Sequence, residues 1–339
     1  MTPVLFTADL RDAGGELAFG RAALTRAGIE RPTFLPQRHT ILPTGALAGY
    51  DALVHFSGHQ VTAASLQGAA HLRVIARLGV GTDMVDLEAC TRAGVAVTLT
   101  PDAVTPAMAS AAVAMALALA HRLSDKDRLV RDGEWDRRLE VVGPGLVGAS
   151  LGIIGPGRIG RAVVAMTAGF GLSYLGYSPR LTDEQAEGAG VRRVDLATLL
   201  RGSDTVVVCC PRTPETVGLI GSAELGLMQP TARLVNIARG GIVDETALAR
   251  ALHAGRLAGA AVDVYADEPP DPDHPFLRAP RMLLAPHSAG YTTDMLEAMM
   301  DQALDSVRDV RAGVRPGHLA NPQVWPPRHS LGSGESRSR

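Results

Sequence analysis

The sequence predicts an α/β protein built from open, parallel, doubly wound sheets. Three observations carry this. The chain has 339 residues, about twice the usual size of one domain, so two domains are expected. Short apolar runs alternate with helical patterns in two successive series. One of those runs ends in a glycine-rich turn that opens a helix.

The first series begins with the apolar run 52–56 (ALVHF), a strand followed by the Ser57-Gly58 loop. Residues 72–78 (LRVIARL) form a second strand ending in Gly79-Val80-Gly81. A short helix is predicted over 86–92 and a third strand over 95–99, with Asp83 and Asp86 read as fixing the local turn before that helix rather than moving protons. His39, His55 and His59 lie in this region and are read as structural first, because a lone histidine is more often packed than catalytic.

The uncharged stretch 103–120 is long enough to span a bilayer. It is mostly alanine, which gains little from lipid, and Pro106 and Ser110 interrupt it, so a buried helix between domains or subunits is expected instead. The second series of strands follows at 151–154, 172–177, 205–210, 234–237, 259–264 and 282–284, with helices over 158–168, 196–201 and 245–254. Strands with such crossovers make a complete nucleotide-binding sheet. A last helical pattern runs from Tyr291 to about Val310. The segment from Pro326 to Arg339, rich in Ser, Gly, Pro and Arg, is expected to be a flexible tail.

Composition narrows the class. Hydrophobic residues make up 46% and charged residues 20%, which is globular usage. The formal charge of -2, from 33 basic and 35 acidic side chains, gives no general attraction to nucleic acid or an anionic membrane. The 3 cysteines are too few for a disulfide framework and lack metal-ligand spacing. No metal is expected, and with no secretory pattern at the start the expected location is cytoplasmic.

Gly155-Pro156-Gly157-Arg158-Ile159-Gly160 fits G-x-G-x-x-G. With 37 glycines the spacing alone would be weak. It follows the strand LGII and opens the helix RIGRAVVAMTAGF, the context that a dinucleotide site requires. Gly155 permits the tight turn, Gly157 lets the backbone approach a pyrophosphate, and Gly160 lets helix and strand close. Arg158 and Ile159 complete the loop. The next strand ends in Tyr177-Ser178-Pro179-Arg180, so Ser178 stands where an acid would bind the adenosine ribose. Losing that carboxylate removes repulsion against a 2′-phosphate, which an arginine such as Arg180 can bind; the other reading of Arg180 is a solvated surface residue, and the choice between NAD and NADP stays open.

Three further segments end predicted strands: NIARGG (236–241), DVYADEP (263–269) and APHSAG (285–290). They supply Arg239, Glu268 and His287, the set needed to reduce a 2-oxo acid. Arginine binds a carboxylate or polarises a carbonyl, histidine moves the proton, and a carboxylate orients the histidine.

Together with RLGVGTDMVDLEA, LGIIGPGRIGRAV and NIARGGIVDETAL, these segments resemble the D-isomer-specific 2-hydroxyacid dehydrogenase family from about Leu72 to Thr292. The resemblance implies an NAD(P)-dependent oxidoreductase interconverting a small 2-oxo acid and its (D)-2-hydroxy acid. It assigns Arg239 to substrate binding, Glu268 to partnering histidine and His287 to acid/base work. Val80 and Gly81 would bind the substrate carboxylate through their amides, Asp263 would face the nicotinamide carboxamide, and Pro211 would line the cofactor cleft. It also implies a Rossmann cofactor domain (104–291) inserted into a flavodoxin-like substrate domain (1–103 with 292–325), and a homodimer involving the Ala-rich helix. Met84 and Ser110 depart from the family, which usually has Asn and Glu there. Glu268 argues against formate-type members, and the short stretch after residue 325 argues against a long, feedback-regulated phosphoglycerate dehydrogenase. The alternative reading is a dinucleotide-sensing, corepressor-like binding protein without significant turnover.

Overall fold

The computed structural model describes residues 3–327. The tail expected from Pro326 lies outside the described residues except for its first two positions. The chain divides into two compact units, Met1–Val104 with Tyr291–Arg339, and Thr105–Gly290.

In the first unit, strands β1 (Val4–Phe6), β2 (Thr33–Phe34), β3 (Ala52–His55), β4 (Val74–Arg77) and β5 (Ala96–Thr98) form one parallel sheet in the order β2-β1-β3-β4-β5. This is the flavodoxin-like order. β1, β3 and β5 are buried along their whole length, which explains why the segments of β3 and β5 read as unbroken apolar runs rather than alternating ones. Leu5, Leu53, Ile75 and Val97 from the strands pack with Leu35, Leu42 and Leu72 from the connections. The helix Thr293–Arg311 lays a stripe of Met295, Met299, Met300, Ala303, Leu304, Val307 and Val310 into the interior at helical spacing. His55 and His59 are both fully buried.

In the second unit, β6 (Ser150–Ile154), β7 (Ser173–Tyr177), β8 (Arg192–Arg193), β9 (Thr205–Val208), β10 (Arg233–Asn236), β11 (Gly259–Val262) and β12 (Met282–Leu284) form a 7-stranded parallel sheet. Its order is β12-β11-β10-β9-β6-β7-β8. That is the doubly wound dinucleotide order with one added edge strand, and it reverses between β6 and β9, where such sheets take ligands. The helix Pro101–Ala120 is long and apolar enough to cross a membrane, with mean hydropathy 1.8. Here Ala109, Ala112, Met115 and Ala116 are buried in the core beneath β6, β9 and β10.

The sheet has one strand more than the sequence predicts. β8 consists of two exposed arginines, so it offers no apolar signal. β1 and β2 were likewise too short to read, and the helix Leu123–Arg131 was not anticipated. Asp86 does fix its turn: it caps the helix Leu87–Arg92 by accepting the Ala89 N–H at 2.8 Å.

Candidate active site

β6 ends at Ile154 and the chain turns at Gly155, where φ is 83°. A Cβ on Gly155 would sit 2.6 Å from the Cys210 backbone, so the turns after β6 and β9 touch at the sheet's reversal point. A Cβ on Gly160 would sit 2.9 Å from Ile153 Cγ2, which is how helix and strand come together. Gly157 differs: nothing lies within 4 Å of where its Cβ would be. No side chain caps the helix Arg158–Thr167 that starts there. An open, uncapped helix N-terminus presents backbone N–H groups and positive dipole, the chemistry of a phosphate site.

Arg158 is exposed at this helix start and Ile159 is half-buried. Ser178 closes the turn after β7, its carbonyl accepting the Leu181 N–H at 3.1 Å. Arg180 is 89% exposed and lies 3.7 Å from Glu215. Pro211 is exposed, and its carbonyl accepts the Thr216 hydroxyl at 2.7 Å.

Three strand ends converge on the second cluster. After β10, the Asn236 side chain accepts the Ala238 N–H at 3.1 Å and donates to the Arg239 carbonyl at 3.1 Å, shaping the turn that carries Arg239. A Cβ on Gly240 would fall 1.9 Å from the Tyr265 carbonyl, so only glycine lets this turn rest on the segment after β11. In that segment Asp263 is 1% exposed. Its carboxylate accepts the Ser288 and Ala289 N–H groups at 2.8 and 2.9 Å, and its carbonyl accepts the His287 N–H at 2.7 Å. His287 itself sits at a φ of 53°, uncommon for a non-glycine residue, and these bonds hold it there.

The result is a His–carboxylate pair. His287 Nδ1 donates to Glu268 at 2.7 Å, and the other Glu268 oxygen accepts the Tyr265 N–H at 3.1 Å. The Tyr265 hydroxyl donates to the Ala285 carbonyl at 3.0 Å, tying the two loops together. Burial alone would raise the Glu268 pKa, but the His287 hydrogen bond and charge, the Tyr265 N–H and the Arg239 charge outweigh it, and the carboxyl lies below its ordinary 4.5. Asp263 goes the other way, raised by burial despite its two amide partners. His287 Nε2 makes no hydrogen bond among the described residues.

Val80 and Gly81 lie in the first unit, after β4. Arg77 donates to the Gly81 carbonyl at 3.2 Å and to the Phe56 carbonyl, while Gly79 exchanges hydrogen bonds with Thr100. The Gly79 and Gly81 carbonyls are thereby engaged. The amides of Val80 and Gly81 donate to nothing among the described residues, an arrangement that suits an anionic oxygen.

Sequence reasoning missed Asn236, Tyr265, Glu245 and His274, all of which shape these loops. The Asx turn at Asn236 could have been read from its place at a strand end. The others act through contacts between distant positions and carry no local signal. Nor was it legible that Asp263 anchors the histidine loop. Among the described residues no His, Cys, Asp and Glu group could hold a metal ion.

Residues 113–289 match the family model described as "D-isomer specific 2-hydroxyacid dehydrogenase, NAD binding domain". The chain is 39% identical over 280 residues to a glyoxylate reductase of Thermococcus litoralis, covering 81% of this chain and 84% of that protein. It is 42% identical over 245 residues to a D-3-phosphoglycerate dehydrogenase of Archaeoglobus fulgidus, covering 72% of this chain. The chain spans about half the length of that relative, 46%. A structure of D-lactate dehydrogenase from Aquifex aeolicus with NAD and lactic acid superposes with a TM-score of 0.81 at 26% identity, covering 94% of this chain and 99% of that one.

Proposed function

The chain belongs to the D-isomer specific 2-hydroxyacid dehydrogenase family, and from that membership we propose that it is an NAD(P)-dependent oxidoreductase interconverting a small 2-oxo acid and its (D)-2-hydroxy acid. The observation that carries this reading is the 2.7 Å bond between His287 Nδ1 and Glu268, which leaves Nε2 to meet a substrate oxygen.

The residues present fit a dinucleotide, because Gly157 leaves open space before an uncapped helix. Gly155, Gly157, Arg158, Ile159 and Gly160 would hold its pyrophosphate, and Ser178 and Arg180 would meet the adenosine ribose. Pro211 and Asp263 would complete the cofactor contacts. When bound, the nicotinamide supplies hydride for reduction or accepts it in oxidation. In reduction, His287 gives its Nε2 proton to the carbonyl oxygen as that oxygen becomes a hydroxyl. Glu268 holds the Nδ1 proton in place and offsets the ring's positive charge. Arg239 binds the carboxylate or polarises the carbonyl. In the first unit, the amides of Val80 and Gly81 would donate to the substrate carboxylate.

A homodimer is part of the same reading. It is supported by exposed apolar side chains in the stretch after the Ala-rich helix, where Trp135, Leu139, Val142 and Val147 are 63%, 80%, 65% and 82% exposed.

The test is loss of reduced-nicotinamide absorbance, with NADH and NADPH in parallel, against glyoxylate, hydroxypyruvate and larger 2-oxo acids. Turnover on at least one acid is expected, and the ratio between cofactors reads out Ser178 and Arg180. Cofactor binding with no turnover on any acid would overturn the enzyme reading and leave the dinucleotide-sensing one.

A further inference from the structure

A second His–carboxylate pair lies beside the first and shares no hydrogen bond with His287 or Glu268 among the described residues. Glu245 opens the helix Glu245–His253, which Asp244 caps by accepting the Ala247 N–H at 2.9 Å. The two Glu245 oxygens are both engaged: one accepts the Ala266 N–H at 2.7 Å and the other meets His274 Nε2 at 2.8 Å. His274 Nδ1 accepts the Phe276 N–H at 3.3 Å, so the ring's proton is on Nε2 and points at Glu245. The two side chains are 14% and 13% exposed. The imidazole also stands edge-on to Tyr265 and Phe276, with ring centroids 5.8 and 4.9 Å apart.

What this pair grips is the segment that presents Glu268. Tyr265 N–H is bound by Glu268 at 3.1 Å, and the very next amide, Ala266 N–H, is bound by Glu245. Two consecutive peptide N–H groups are therefore each held by a carboxylate, one facing His287 and one facing His274. Ala266 itself is exposed, so its amide would find water if Glu245 were lost. The pair thus contributes position more than burial.

We propose that His274 and Glu245 are positioning residues for the proton relay, fixing the 265–268 segment so that Glu268 meets His287 in register. This rests on the reading of Glu268 and His287 as the relay. The pair does not touch substrate or cofactor. Its effect falls on kcat, because a relay misplaced by a fraction of an ångström loses the transition state without losing the ground-state complex.

The experiment is kinetic and uses the full chain, with the best 2-oxo acid from the panel. Glu245→Ala is expected to lower kcat about tenfold to a hundredfold while KM changes less than about threefold. His274→Ala should do the same. His274→Gln should restore kcat to within about threefold of wild type, because its amide can still donate to Glu245. In the Glu268→Gln background, Glu245→Ala should cost little more, since its effect runs through Glu268. Unfolding curves of each variant separate a loss of fold from a loss of kcat. Wild-type kcat in Glu245→Ala alongside a crippled Glu268→Gln would overturn the positioning role alone. Full additivity of the two substitutions would overturn it as well, leaving a merely structural pair. Wild-type kcat in Glu268→Gln would instead bring down the relay on which the inference stands.

Discussion

Asp263 spends one carboxylate oxygen on two consecutive amides of the loop that carries His287. Asparagine can accept the same two bonds and carries no charge to desolvate, and burial is what pushes the Asp263 carboxyl up. Asp263→Asn is therefore expected to unfold at or above the wild-type urea midpoint. Asp263→Ala orphans both amides and is expected to lose about 1–3 kcal/mol. Equal midpoints for the two variants would show that the carboxylate does not hold the loop. His55 provides a pH-dependent case. Burial, and then the charge of Arg77, lower its pKa from 6.5 to about 3. The unfolded chain takes up a proton below 6.5 that the folded chain refuses until near 3, so stability falls as pH drops through that window. Urea midpoints at about pH 7 and about pH 5 should fall less in His55→Gln than in wild type, and equal falls would contradict the assignment.

The glycine turn after β6 shows what an element adds to its residues. Gly157 has open space where a Cβ would stand, and Gly160 has Ile153 2.9 Å away. Gly157→Ala is accordingly expected to keep its melting temperature and weaken cofactor binding about tenfold or more. Gly160→Ala is expected to lose stability by about 1–3 kcal/mol. Calorimetry and cofactor titration of both variants check this, and a Gly157→Ala protein binding NAD(P) like wild type would contradict the phosphate-loop reading. This element was legible in the sequence because each glycine answers a different steric demand within six consecutive positions. β8 was not, because Arg192 and Arg193 form a strand on hydrogen bonds to β7 alone, without an apolar face. Glu245 and His274 were also hidden: they stand 29 positions apart, and only the fold sets them side by side.

For the whole molecule, the alternation of strand and helix patterns announced two parallel α/β sheets, while the order of strands within each came only with the fold. The fifty residues before β3 said least, since β1 and β2 there are only 3 and 2 residues long. The exposed Trp135, Leu139, Val142 and Val147 belong to this scale as well. If they seat a second copy of the chain, Leu139→Glu should shift sedimentation from dimer toward monomer at micromolar concentration. A wild-type chain that sediments as a monomer throughout would refute the dimer.

In the proposed reaction His287, held by Glu268, moves the proton. The most direct measurement is kcat of His287→Ala on the best 2-oxo acid, with the cofactor dissociation constant measured on the same preparation. A loss of about a hundredfold to ten-thousandfold in kcat is expected, with cofactor binding within about twofold of wild type. Wild-type turnover by that variant would contradict it.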